Sequence, residues 1–222
     1  MNRFVPCILF VLALVAPLAA QVADPPEVAF TGVVQPFDGV IIAICAPPSH
    51  ELECSDGTFF LTSSTLELDA WVGKNVKLYG KSVSDLCPLY DIHKIEEPPP
   101  ATLAICGTGG LGCPIRLRSG PGGISQHALW VALKPGLVTL NPSKGSFLLG
   151  EPFFLLGIQS GGFPAEGAAF DLTVPPDPVL TGVTLYFQSA RRDVGPVGPL
   201  HLANARCMEI VGFVFVCHDP DC

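Results

Sequence analysis

Glycine and proline punctuate this chain so densely that long helices are excluded over most of its length. There are 23 of each among 222 residues, and they fall in clusters such as Ser119–Gly123, Asn141–Gly145, Gly161–Pro164 and Pro175–Pro178. Proline removes a backbone donor and glycine weakens any regular element it interrupts. The runs left between the clusters are short, apolar and rich in β-branched and aromatic residues, which is the strand signature. After residue 100 these runs are Thr102–Cys106, Ile115–Arg118, Ala128–Leu133, Phe147–Leu156, Ala168–Val174, Val183–Gln188, Leu200–Ala203 and Met208–Val216. About eight short strands at this spacing predict a β-sandwich or jelly roll. Alternation in Ile115-Arg116-Leu117-Arg118 fits a sheet with one wet face.

Glu96-Glu97-Pro98-Pro99-Pro100 marks a boundary. Three prolines cannot join a ladder and favour a stiff, extended spacer. Charge changes across it: residues 21–97 hold twelve acidic and four basic side chains, whereas residues 98–222 hold eight and seven. The expected division is a signal at 1–20, a first unit at 21–97, a linker at 98–100 and a second unit at 101–222. In the first unit Val28–Val34 and Val40–Cys45 read as strands. Glu51–Cys54 and Thr58–Leu61 flank a turn at Ser55-Asp56-Gly57. Ser64-Thr65-Leu66-Glu67 has the form of a helix capping box, and Gly73 can close that helix in the left-handed conformation. Asn75–Lys81 and Leu89–Ile95 alternate as two more strands. Three strands, a capped helix and two strands is the order of an OB-like five-stranded barrel. The fold class expected is therefore all-β with one short helix.

Arg3, the apolar run Phe4–Ala20 and the small pair Ala19-Ala20 before Gln21 have the order of a secretory signal. The alternative is an uncleaved anchor, since about 17 apolar residues lie at the short limit for a membrane span. With cleavage the chain carries no membrane anchor and belongs outside the cell or in the periplasm. Eight cysteines remain after Cys7: Cys45, Cys54, Cys87, Cys106, Cys113, Cys207, Cys217 and Cys222. An even count in an exported chain reads as a disulfide framework. Zinc spacing of the CxxC kind is absent. Cys45–Cys87 would join the loops at one end of the barrel, although Cys45–Cys54 is an equally simple clasp. Cys106–Cys113 and Cys217–Cys222 would close small loops. Cys54 and Cys207 would then either tie the two units together or remain reduced.

The segment LDAWVGKNVKLYGKSVSDLCPLYDIHKIEE, residues 68–97, resembles the last helix–strand–strand of small bacterial OB-like domains, which read YVGK-x-V-x-V-x-G…C…V-x-x-I. Many such domains bind single-stranded nucleic acid through basic, aromatic faces. A unit with a net charge of −8 and no arginine repels a polyanion, so nucleic acid is excluded as a partner. Residues 113–204 resemble a β-rich module of uncharacterised exported bacterial proteins, through GCPIRLR and VPPDPVLTGVTLYFQS. That resemblance implies architecture and no activity.

Chemistry-bearing patterns are few. Gly107-Thr108-Gly109-Gly110-Leu111-Gly112 matches GxGxxG, but Pro114 follows and no acidic residue appears before Glu151, so no dinucleotide cofactor is expected. Gly123-Ile124-Ser125-Gln126-His127 departs from a nucleophile elbow at His127, where glycine is required. Ser125, Asp171 and His201 occur in hydrolase order and define the alternative of a secreted hydrolase. The tail Cys217-His218-Asp219-Pro220-Asp221-Cys222 reads as a pinned end with no metal, and Glu51 and Glu53 as solvated charges. The favoured expectation is a non-catalytic binding or structural protein of unspecified ligand, a glycan or cell-surface component among the options. Trp130 and Tyr186 are the candidate binding surface.

Overall fold

The structure is a computed structural model and describes residues 26–39, 46–83, 87–97, 99, 101–121, 124–141, 144–161, 167–193, 198–213 and 217. It is all-β, with two 3-10 turns and no α-helix among the described residues. The expected strand Val40–Cys45 lies outside them.

The first unit contains β1 (Glu27–Pro36), β2 (His50–Leu52), β3 (Phe60–Thr62), β4 (Asn75–Ser82) and β5 (Leu89–Glu96). Antiparallel ladders join β1 to β2, β2 to β3, β5 to β4 and β4 to β1, and a parallel one joins β3 to β5. The five strands therefore close into a ring. Phe30, Val34, Leu52, Leu61, Val76, Leu78 and Ile92 fill it, with Tyr90 set edge-on to Phe30 at 5.4 Å. Gly32 leaves room for Leu52, since a Cβ on it would stand 2.7 Å from a Leu52 methyl and that side chain would have to move.

The capping-box helix does not form. Ser63, one residue earlier, accepts hydrogen bonds from the Thr65 and Leu66 amides. Ser64 instead donates its amide and hydroxyl to the Asp91 carboxylate. With Ser64 engaged by β5, the chain makes only a 3-10 turn at Leu68–Trp71, which no side chain caps. Gly73 does take positive φ, at 77°, and so does Gly57, at 69°.

The second unit contains β6 (Thr102–Gly107), β7 (Pro114–Gly120), β8 (Ser125–Ala132), β9 (Pro135–Asn141), β10 (Gly145–Leu149), β11 (Phe153–Gly161), β12 (Ala168–Thr173), β13 (Thr184–Asp193) and β14 (Leu200–Glu209). A four-stranded sheet β11-β8-β13-β14 faces a three-stranded sheet β12-β7-β6, and β9 and β10 form a separate hairpin. Leu103, Ile115, Leu117 and Phe170 from one sheet meet Leu129, Phe187 and Ala203 from the other. Two sequence-derived boundaries change. Phe147–Leu156 divides at Gly150-Glu151-Pro152, where Gly150 lies so close to the Pro135 carbonyl that a Cβ would approach it to 2.5 Å. Leu200–Ala203 and the start of Met208–Val216 fuse into β14, because polar Asn204 and Arg206 are satisfied by the Leu103 carbonyl of β6 and do not end the strand. The strand β9 has no counterpart in the sequence reading, since its Pro-Gly start looks like a turn.

No described ladder crosses residues 98–100, yet the two units pack continuously. Both faces of β1 are buried from Val28 to Val34. Alternation turns Val28, Phe30 and Val34 into the ring and the intervening residues toward β10 and β14. Leu148 and Ala205 join the ring's core cluster. Pro99 and Ala101 are buried at the junction. Asn204 accepts from Asn75 Nδ2 at 3.1 Å and from the Leu103 amide at 2.8 Å, and returns a bond to the Leu103 carbonyl at 3.0 Å. Arg206 is ion-paired with Glu53, and Tyr186 donates its hydroxyl to Asp56.

A Cys54–Cys207 disulfide clamps the same seam. This is the inter-unit link that the cysteine count left open. Cys113 is bonded to Cys217, 104 residues away, which overturns both small-loop pairings, Cys106–Cys113 and Cys217–Cys222. The physical reason is that the end of β14 returns beside the Cys113 turn, with Gly110 bridged to Val211. Cys87 and Cys106 are also disulfide-bonded. Cys54 being committed to Cys207, the Cys45–Cys54 clasp is overturned too. Cys45 and Cys222 lie outside the described residues.

Candidate functional site: a buried serine–histidine chain and an exposed apolar edge

Ser125 and His127 stand two residues apart on β8 and so share one face, the face turned toward β7. Ser125 Oγ lies 2.8 Å from His127 Nε2, and His127 Nδ1 lies 2.9 Å from Ser119 Oγ on β7. Ser119 Oγ in turn meets Ser189 Oγ of β13 at 2.8 Å. All four side chains are buried. Burial holds the His127 imidazole below its ordinary pKa, and the Arg191 guanidinium adds to the effect. The ring is therefore neutral, with one nitrogen donating and the other accepting between two hydroxyls. Arg191 sits opposite both His127 and His201 in the ladders and is paired with Asp193 at 2.6 Å. His201 is likewise held low, first by burial.

The alternative Ser125–Asp171–His201 group does not converge. Asp171 lies on the exposed side of β12 and accepts from Arg116 Nε at 2.6 Å. Ser125 bonds instead to His127, the residue that spoiled the elbow pattern. Ser119 and Ser189 were missed by sequence reasoning. Their signal was present, since each continues the inward series of an apolar strand: Ile115, Leu117, Ser119 and Leu185, Phe187, Ser189. Among the described residues His127 Nδ1 meets the Ser119 hydroxyl and no carboxylate, the group that orients the histidine of a serine hydrolase.

The remaining polar candidates have separate partners. His50 meets Ser49 Oγ and Asp69, and His93 meets Glu27 at 2.7 Å. Glu53 belongs to the Arg206 pair, while the Glu51 carboxyl is raised by burial and by Asp38 and Asp56 nearby. No group of three or more metal-ligating side chains occurs among the described residues. The glycine-rich loop has a packing role: a Cβ on Gly109 would stand 2.2 Å from the Glu209 carbonyl.

Tyr186 does not form a binding surface. It is buried, and burial together with its bond to Asp56 raises its pKa. Trp130 is half-buried and packs edge-on against Phe147 at 5.0 Å.

Exposed apolar surface is found instead on β11, an edge strand. Phe154, Leu155, Leu156 and Ile158 are exposed to 58, 51, 40 and 63%. Behind this edge the two sheets part, leaving a cleft of about 270 Å³ lined by Ile115, Val131, Leu156, Leu172, Val174 and Phe187 among others.

No family model, curated protein or solved structure matches this chain.

The two features differ in what they offer chemically. The serine–histidine chain is closed to solvent and internally satisfied, which is how a sandwich interior tolerates polar groups. The β11 edge is exposed, uncharged and continuous with an apolar cleft.

Proposed function

We propose that this chain is an exported, non-catalytic binding protein, and that the β11 edge with the cleft behind it is its contact surface. The observation that carries the reading is the row of four exposed apolar side chains on one edge strand beside an apolar opening. Monomeric surfaces rarely leave such patches without a use. Export is supported by the signal-like start and by two disulfides of long sequence separation. No helix among the described residues is long and apolar enough to cross a membrane. The first unit is read as an OB-like ring, on its strand order 1-2-3-5-4, and as a scaffold that braces the sandwich. A glycan ligand is the weaker option, because the aromatic rings nominated for stacking are buried or packed against other rings.

The neutral dye Nile red tests this reading on the whole exported protein. Emission should rise in its presence and fall sharply for Leu156→Lys, with the melting temperature of the variant preserved. Equal emission from both proteins would defeat the proposal. A second reading, a hydrolase using Ser125, rests on the 2.8 Å bond to His127. In the same experiment a fluorophosphonate probe should leave Ser125 unlabelled, and labelling that Ser125→Ala removes would favour the hydrolase.

A further inference from the structure

The geometry points to a second copy of this chain as the occupant of the β11 edge, paired antiparallel, strand to strand, across a two-fold axis. This rests on the binding role proposed for that edge and names its partner.

In its own sheet β11 pairs with β8, and its other edge has no strand partner among the described residues. Natural sheets protect such an edge with lysine, proline, an inward charge, a short strand or a bulge that twists it away, and of these β11 carries the bulge. Here β11 is nine residues long and holds neither a charge nor a proline. The neighbouring edge strand β12 carries Asp171, held by Arg116.

A bulge makes this edge self-complementary. The register with β8 runs Leu155 to Trp130, skips Leu156, and resumes with Gly157 to Leu129 and Ile158 to Ala128. Trp130 and Ala128 share a face of β8, so Leu155 and Ile158 project on that same face although they are three residues apart. Phe154 and Gln159, opposite Val131 and His127, project on the other. An axis between Leu156 and Gly157 then sets Leu155 against Ile158 of the other copy, twice. It also sets Phe154 against Gln159, and Phe153 against Ser160. Every pair matches in face, the condition for continuing a sheet. The bulged Leu156 meets Gly157, which has no side chain to obstruct it. Apolar side chains placed directly opposite in this way stabilise one another.

Charge favours a like partner at this place. The chain carries −8 overall, yet no charged residue lies between Glu151 and Glu166. The two copies of Glu151 would stand about eleven residues apart along the paired strands, roughly 36 Å at ~3.3 Å per residue. That exceeds the Debye length of about 8 Å at physiological ionic strength, so their repulsion is screened. A nine-residue strand is only about 30 Å long, which limits the contact to less than the roughly 800 Å² per partner of a standard interface. The dimer is therefore weak and reversible.

Sedimentation equilibrium on the exported protein over a range of concentration tests this. The weight-average mass should climb toward twice the monomer value, and amide exchange across residues 153–161 should slow as concentration rises. Leu155→Lys with Ile158→Lys places four lysines around the axis, where like charges face one another. It should weaken association at least about tenfold, given like-charge opposition across a strand pair, while leaving the thermal midpoint of the monomer in place. A strictly monomeric protein with no concentration-dependent protection would overturn the proposal, as would a dimer indifferent to the double substitution. A monomer that still shows Leu156-dependent Nile red binding would sink the second copy but spare the binding surface. Loss of both would sink both.

Discussion

Removing the inter-unit clamp with Cys54→Ser and Cys207→Ser should cost the protein about 4 kcal/mol. The chain-entropy argument sets the figure, but the loop to use is not the 153-residue separation of the two cysteines. Cys113 is already tied to Cys217, so the unfolded chain reaches Cys207 from Cys54 by way of that bridge. By that bridge the circuit runs from 54 to 113 and back from 217 to 207, about 70 residues, and a loop of that size is worth about 4.4 kcal/mol. The native seam should survive locally, because the Arg206–Glu53 pair, the Tyr186–Asp56 bond and the Asn75–Asn204 bond all cross it. Guanidinium unfolding reads the effect through the two tryptophans, Trp71 in the first unit and Trp130 in the second. In the native protein both should report one transition, since the buried contacts of β1 make the units a single cooperative body. In the double variant the midpoint should fall, and the melting temperature should drop by about 10 °C. A change below about 1 kcal/mol would refute the reasoning, because the unfolded chain would then gain no freedom from losing the bridge.

Two further outcomes follow from the buried polar groups. The imidazoles of His127 and His201 are both held below their ordinary value, so in the interval beneath about pH 6.5 the unfolded chain binds protons that the folded one refuses. Stability is then fully present above that pH and is lost as pH falls, by at most about 1.4 kcal/mol per pH unit for each ring. Denaturant midpoints at pH 7.5 and 5.5 should show this, and His127→Gln, which keeps one donor and one acceptor, should flatten the slope; an unchanged slope would mean that His127 is not the group responsible. Asn204→Ala leaves the Leu103 amide buried without its acceptor, and strips Asn75 of its partner. That should cost about 2–3 kcal/mol, measured by the same unfolding titration, and a loss under about 0.5 kcal/mol would show that water replaces the amide.

The local elements of this protein were legible in its sequence because they depend on neighbours along the chain. Alternation and turn residues located most of the strands, and glycines 57 and 73 supply the positive φ at their turns. The capping box failed for the opposite reason: Ser64 had a better acceptor in Asp91, 27 residues away, and no local pattern records such a competitor. The cysteines show the same division. Their even number pointed to a disulfide framework, but pairing is a matter of which chain ends return together, and Cys113 with Cys217 is decided by the path of β14. Ser125 was visible as a residue, while its bond to His127, and that of His127 to Ser119, are set by strand direction and by the sheet packed opposite. Phe147–Leu156 reads as one strand in sequence, and composition cannot say whether a strand is central or lies at an edge. Only the order of strands in the folded sheet leaves Phe154, Leu155 and Leu156 exposed. Periodicity along the chain determines which way a side chain points, and the tertiary structure alone decides what, if anything, it meets there.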